Sequence, residues 1–302
     1  MASKSSQTPL AVPSLLLAAT MWGLLWYPVR LLETQGLAGI WTTLVAYLAA
    51  SVVGLAWAWP RSADLVRSPA GLLGLALAAG WCNVSFILAV AEGTVVRVVL
   101  LFYLSPVWAV LLGRLFLGER VGLLSSAVLL VAMGGALLML WDPALGAPWP
   151  QDAADWFALT AGVAFAVNNV IVRGLQRVAL SVKTAVAWWG GAAMGLAWLA
   201  LTGDSVPAAS TVGWSGAAAL GLFGIVVMTI TVQYGVTHMP VRRSAVILLF
   251  ELVVATVSSQ LLAHEVLPPR EWLGGILIVG AALVAAWKGE EGKWSESAPS
   301  TT

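Results

Sequence analysis

The chain has few of the residues from which most active sites are built. Its 302 residues include one cysteine, Cys82, and two histidines, His238 and His264. One cysteine excludes a disulfide framework and a cysteine-rich metal site, and two histidines are too few for a metal-binding cluster. The phosphate-binding loop, the HExxH zinc motif and the GxSxG nucleophile motif are also absent from the sequence. We therefore expect no catalytic residue, no metal and no cofactor.

Charge is equally scarce. Charged residues make up 10% of the chain, its net charge is +1, and 60% of its residues are hydrophobic. Soluble domains contain about 25% charged and about 45–50% apolar residues. The small net charge excludes the basic surface of a nucleic-acid-binding protein. A soluble fold could not cover this much apolar surface, so the composition predicts an integral membrane protein in contact with lipid.

Ten apolar segments are long enough, or nearly so, to cross a bilayer core of about 30 Å as helices. They are continuous rather than alternating, which favours helices over the strands of a membrane barrel. The sequence therefore predicts an all-α integral membrane protein with short loops. The segments are residues 13–32, 38–59, 69–91, 95–116, 121–141, 154–174, 182–202, 211–235, 243–263 and 271–287.

The distribution of positive charge predicts the orientation. Of the 15 lysines and arginines, only Arg30, Arg97 and Arg270 fall on one side of the ten segments. Because positive residues accumulate in cytoplasmic loops, both termini are predicted to be cytoplasmic. Short loops and the absence of a cleavable signal favour a multi-pass protein of the bacterial plasma (inner) membrane. Arg97 and Glu92 flank the predicted outer mouth, either as a gate pair or as a solvated loop pair.

The sequence contains a weak internal repeat. A constant offset of 146 residues pairs Arg97 with Arg243 and Glu119 with Glu265. Each half holds five predicted helices, and an odd number gives the two halves opposite orientations, a feature of secondary transporters. The predicted division is an N-terminal cytoplasmic tail (1–12), a first repeat (13–141), an outer linker (142–153), a second repeat (154–287) and a cytoplasmic tail (288–302).

The segment 103–120, with Ser105-Pro106 in mid-helix and Leu117-Gly118-Glu119 near its end, resembles the fourth helix of the EamA-type carriers of the drug/metabolite transporter superfamily. Trp22-Gly23 in the first helix fits the same pattern. Among these carriers, the sequence most resembles the aromatic amino acid exporter branch. The resemblance implies a secondary transporter that exports small molecules by alternating access, with helices 4 and 9 lining a central cavity. The second half departs from the pattern, with Glu251 and Leu252 in place of Ser105 and Pro106.

Glu251 is the only acid predicted in mid-membrane, where a lone charge costs about 3 kcal/mol or more. It can bind a substrate ammonium, couple transport to protons, or be a neutral acid bonded to another helix. Pro106 frees the carbonyl of Phe102, either for substrate or within a packed kink. Ser244, Ile247, Ala255 and Ser258 share the helix face of Glu251 and suggest a cavity wall. The candidate substrate-binding residues are Trp22, Trp81, Asn83, Tyr103, Ser105, Pro106, Trp108, Phe165, Asn169, Trp188, Thr229, Glu251 and Ser258.

Deep tryptophans can stack on an aromatic substrate or simply pack. The offset also pairs Asn83 with Thr229 and Ser85 with Thr231, which indicates either a polar vestibule or interhelical hydrogen bonds. We expect export of amino acids with aromatic or large apolar side chains, by a chain able to act as a monomer. Multidrug, nucleoside or sugar export is the alternative, and a channel or membrane-embedded enzyme fits the sequence less well.

Overall fold

The computed structural model describes residues 10–37, 39–93, 95–119, 122–140, 149–263 and 268–294. In these residues all regular secondary structure is helical, and ten helical segments are long and apolar enough to cross a membrane. The predicted all-α architecture is confirmed, with ten helices, here called spans, that are able to cross a membrane. Glu265 of the predicted repeat lies outside the described residues.

Several spans are composed of more than one helical segment. The first is Ala11–Leu24 with Trp26–Thr34; the second is Gly39–Ala58 with a 3₁₀ segment, Trp59–Val66; the third is Pro69–Glu92; the fourth is Val95–Phe102 with Ser105–Leu117; the fifth is Leu123–Leu140; the sixth is Ala153–Gly174; the seventh is Leu180–Thr202; the eighth is Thr211–Ala219, a π-helical segment Leu220–Ile225 and Val226–His238; the ninth is Val241–Leu248 with Phe250–Ala263; the tenth is Pro269–Trp294.

The helix ends follow local sequence signals. The sixth span begins after Asp152, whose carboxylate accepts a hydrogen bond from the backbone N–H of Asp155 at 2.9 Å. The fourth span ends at Gly118, which has a left-handed φ of 65°. The tenth helix continues to Trp294, seven residues past its predicted end at 287, because no proline interrupts this stretch and its Glu and Lys residues favour helix.

Small residues bring the spans into backbone contact. A Cβ atom added to Gly80 of the third span would lie 2.5 Å from the carbonyl oxygen of Gly190 in the seventh. Gly191 and Gly195 of the seventh span lie against two residues of the second span, the ring of Tyr47 and Leu44 respectively. Close approach through glycine is typical of helix pairs in membranes. It connects the second and third spans with the seventh.

Polar contacts gather at two opposite ends of the bundle. At what we call the Glu119 end, the Glu119 carboxylate accepts a hydrogen bond from the backbone N–H of Val241 at 3.0 Å. At the opposite Arg97 end, Arg97 pairs with Asp155, with 2.6 Å between Nε and Oδ2. Arg97 is buried and Glu92 is exposed, so the suggested pair with Glu92 is replaced by one that ties the fourth span to the sixth.

The fourth and ninth spans are interrupted at equivalent positions. The fourth breaks at Tyr103 and Leu104 and the ninth at Leu249, and the 146-residue offset pairs Tyr103 with Leu249. Pro106 accounts for the first break, because a proline cannot supply the helical N–H. The ninth span breaks although Leu252 occupies the equivalent position, so the break does not depend on proline.

The carbonyl of Phe102 is packed against a neighbouring span. A Cβ atom added to Gly162 of the sixth span would lie 2.6 Å from that oxygen. Since glycine is what allows this contact, the geometry favours the packed kink over a carbonyl directed at substrate.

Candidate substrate cavity

A cavity of about 150 Å³ lies between the two halves of the chain. Its described lining comes from the first four spans and from spans six to nine, and none of it comes from spans five and ten. A cavity of this volume holds a ring-sized group. It is lined by Trp22, Tyr47, Ala79, Cys82, Asn83, Phe86, Phe102, Tyr103, Ser105, Pro106, Ala109, Phe165, Asn168, Asn169, Ala187, Trp188, Thr229, Val232, Gln233, Ala245, Leu248, Leu249 and Glu251.

Ten of the thirteen candidate residues surround this cavity, and Trp81, Trp108 and Ser258 do not. The ring of Trp81 packs on Phe157, with the ring centroids 6.2 Å apart. Trp108 packs in an apolar cluster of the fourth, sixth and ninth spans. The Ser258 hydroxyl accepts a hydrogen bond from the indole N–H of Trp26 at 2.9 Å. The ten that line the cavity are Trp22, Asn83, Tyr103, Ser105, Pro106, Phe165, Asn169, Trp188, Thr229 and Glu251.

Glu251 and Tyr103 meet in the cavity wall. Both residues line the cavity, and the phenol of Tyr103 is close enough to the Glu251 carboxyl for the two polar groups to interact. Tyr103 lies at the break of the fourth span, and Glu251 lies in the first turn after the break of the ninth. A helix N-terminus stabilises a nearby negative charge. The two interrupted spans therefore bring an acid and a phenol together in the cavity wall.

Gly23 determines how closely the first span approaches this acid. A Cβ atom at Gly23 would lie 2.6 Å from the carbonyl oxygen of Glu251 and 2.8 Å from Cβ of Val254. Only glycine allows the two backbones to be this close. The contact places Trp22 in the cavity wall and covers the ninth span just beyond Glu251. The expected polar stripe is not a cavity wall, because Ser244, Ile247 and Ser258 are buried and line no part of the cavity. Ile247 packs instead in an apolar cluster with residues of the first span.

Aromatic rings form one side of the cavity. The ring centroid of Phe102 lies 4.8 Å from that of Phe86, 5.6 Å from that of Tyr103 and 5.7 Å from that of Phe165. These spacings are typical of attractive edge-to-face and tilted pairs. Phe86 and Phe102 were absent from the predicted site, because phenylalanine in an apolar span is indistinguishable from packing by sequence.

Polar side chains form another part of the cavity lining. The hydroxyl of Tyr47 donates to Oδ1 of Asn83 at 2.7 Å, and the hydroxyl of Thr184 donates to Oε1 of Gln233 at 3.2 Å. Two other buried atoms, the indole N–H of Trp188 and Oδ1 of Asn168, have no hydrogen-bond partner among the described residues. Buried polar atoms are normally paired, so these two atoms are exceptions beside the cavity.

The paired polar residues of the repeat differ in what they contact. Asn83 and Thr229 both line the cavity. The hydroxyl of Ser85 instead bonds the carbonyl of Trp81 at 2.5 Å, and that of Thr231 bonds the carbonyl of Val227 at 2.8 Å, within their own helices. Of the two polar pairs that the repeat relates, one therefore lines the cavity and the other forms hydrogen bonds within its own helices.

Sequence and structure comparisons place the chain among known proteins. Protein RarD of Streptomyces exfoliatus is 31% identical over 292 residues, a match that covers 88% of this chain and 85% of the relative. A solved structure, described only as the crystal structure of a protein, has a TM-score of 0.73 at 23% identity, covering 90% of this chain and 96% of the other. The profile of the EamA-like transporter family matches residues 9–141 and again residues 152–287. Since these two matches cover most of the chain, the protein belongs to the EamA-like transporter family.

Proposed function

We propose that this protein is a secondary transporter that exports amino acids with aromatic or large apolar side chains. The observation that carries the proposal is the cavity between the two halves, whose described lining combines one acid, Glu251, with a group of aromatic rings. The carboxylate of Glu251 offers a counter-charge to an α-ammonium group. The rings of Phe86, Phe102 and Phe165 offer contact to an apolar side chain.

We also propose that the substrate crosses by alternating access between two halves of opposite orientation, with both termini in the cytoplasm of a bacterium. The family profile matches each half separately, and both halves contribute to the cavity. The fourth and ninth spans are interrupted at equivalent places, which gives each half a helix that can bend beside the substrate.

Export of organic cations is the second candidate. Among the described residues that line the cavity, Glu251 is the only acid, and none is lysine, arginine or histidine. An apolar amine therefore fits the cavity by charge as well as an amino acid does. The two classes differ by a carboxylate, so matched pairs of substrates separate them.

The experiment is transport into liposomes that carry the purified protein. Radiolabelled Phe, Leu and Lys and the amine 2-phenylethylamine are supplied outside, with and without an imposed pH gradient. We expect saturable uptake of Phe and Leu, each competing with the other, and little uptake of Lys. Uptake of the amine alone would favour the second candidate, and movement of none of the four would contradict both.

A further inference from the structure

Two rows of polar side chains lead from the cavity toward the Glu119 end of the bundle. Thr229, Gln233 and Thr237 are spaced four residues apart on the eighth span, and Asn169 and Arg173 are four apart on the sixth. Residues at this spacing lie on one face of a helix. Thr229, Gln233 and Asn169 line the cavity, so Thr237 and Arg173 lie one helical turn beyond it.

Lys183 joins these rows from the seventh span. Its side chain is only 1% exposed, although it lies in the first turn of that span. The ammonium group donates to the hydroxyl of Thr237 at 2.7 Å and to the carbonyl of Val172 at 3.1 Å. The guanidinium of Arg173 donates to the backbone carbonyl of Thr237. Thr237 is thus the common acceptor of two cations.

These cations have neutral oxygens as their hydrogen-bond partners. No carboxylate of the described residues lies within 4.0 Å of Lys183 Nζ or of the Arg173 guanidinium. Because both cations donate to Thr237, their positive charges lie close together and repel each other. A buried ammonium is normally matched by an anion. Lys183 and Arg173 thus supply donors that could bind a carboxylate. In this structure those donors bond to the hydroxyl of Thr237 and to backbone carbonyls.

We propose that Lys183 and Arg173 form a second substrate subsite, which binds the carboxylate of an amino acid when the Glu119 end of the carrier opens. This inference rests on the proposed function and deepens it. Opening would separate Thr237 from the two cations, and the incoming carboxylate would replace its oxygens. The substrate then moves one turn along the two polar rows, where its ammonium group reaches Glu251. The subsite selects amino acids over the corresponding amines.

The test uses two ligands that differ by one carboxylate, radiolabelled Phe and 2-phenylethylamine. Binding to the purified full-length protein is measured by equilibrium dialysis for the wild type and for Lys183→Met, which keeps the length of the side chain and removes its charge. We expect the wild type to bind Phe more tightly than the amine. In Lys183→Met the Kd for Phe should rise about tenfold, the equivalent of one charged hydrogen bond, while the Kd for the amine changes less than twofold.

Two further variants complete the test. Lys183→Arg keeps the charge and should retain most of the preference for Phe, which a purely structural role in packing Thr237 would not require. Arg177→Met removes an exposed cation of the neighbouring loop and should leave both Kd values unchanged. Equal weakening of both ligands by Lys183→Met, or a wild type without preference for Phe, would overturn the subsite.

The proposed function can fail separately. If liposomes show no transport of amino acids, but the wild type prefers Phe and Lys183→Met loses that preference, the carboxylate subsite stands and the proposal of amino acid export falls. If transport occurs and the preference does not depend on Lys183, the export proposal stands and the subsite falls. If Lys183→Met does not fold, the preference for Phe is judged on the wild type and Lys183→Arg.

Discussion

At the scale of single residues, Glu251 is the only acid among the described residues that line the cavity. Glu251 stood out because an acid in the middle of an apolar segment is rare, and the structure places it in the cavity wall. Tyr103 and Trp22, which line the cavity with it, were also among the candidates, whereas Trp108 and Ser258 line no part of the cavity. Ser258 lies seven residues after Glu251, on the same helix face, but the close approach of the first span covers that face.

The role of Glu251 leads to the first prediction. Glu251→Gln removes the negative charge but keeps the size of the side chain and an oxygen that can accept a hydrogen bond. If the carboxylate binds the substrate ammonium, the KM for Phe transport in liposomes should rise about tenfold, since a charged hydrogen bond contributes about 1.5–3 kcal/mol. The thermal unfolding temperature should change little.

Glu92→Gln provides the matched control, because Glu92 is an exposed glutamate near the Arg97 end and should transport as the wild type does. A Glu251→Gln protein with wild-type transport of Phe at every pH would contradict the assignment of Glu251 to substrate or proton binding.

At the scale of helices, hydrophobicity located the ten spans, but not their interruptions. Pro106 predicts the break in the fourth span. No residue type predicts the equivalent break at Leu249 in the ninth span, and only the 146-residue repeat could have suggested it. The contacts that determine which face of each span meets the cavity are equally hidden, because they depend on pairs of glycines and backbone carbonyls far apart in sequence.

Gly23 gives a prediction at this scale. A Cβ atom there would meet the backbone of Glu251 at 2.6 Å, while a Cβ atom at Gly134 of the fifth span would meet no atom within 4 Å. Both glycines are helical, so Ala improves helix propensity equally at each position. We expect Gly23→Ala to destabilise the protein by about 1–3 kcal/mol and Gly134→Ala to be neutral or stabilising by up to about 1 kcal/mol.

The measurement is the thermal unfolding temperature of the two purified variants in the same detergent. Because overpacking at Gly23 also displaces Trp22 and Glu251, transport should fall in Gly23→Ala and stay at the wild-type level in Gly134→Ala. Equal unfolding temperatures for both variants would contradict the close contact between the first and ninth spans.

At the scale of the whole molecule, composition alone predicted the class of protein. An apolar content of 60% with 10% charged residues leaves no alternative to a membrane environment, and the spacing of apolar runs gives the number of spans. The cavity could not be outlined in the same way, because its lining is drawn from eight spans whose rotations are set by packing between the two halves.

The predicted orientation is tested with reporter fusions in a bacterial host. Green fluorescent protein fluoresces in the cytoplasm, and alkaline phosphatase is active outside it. Because positive charge is retained on the cytoplasmic side, fusions that end at Arg177 or at the C-terminus should fluoresce and lack phosphatase activity. Fusions that end at Asp204, in the loop after the seventh span, should behave in the opposite way, and a reversed pattern would contradict the orientation.

The position of Cys82 has a practical consequence. This cysteine is the only one in the chain and its side chain faces the cavity. A small nitroxide or a mercury atom attached to the natural protein would therefore occupy one site, in the cavity wall, without any engineered residue. A nitroxide on this sulfur would report by electron paramagnetic resonance on the space available to the substrate. A mercury atom on the same sulfur would mark the cavity and serve as a heavy-atom reference for crystallographic phasing.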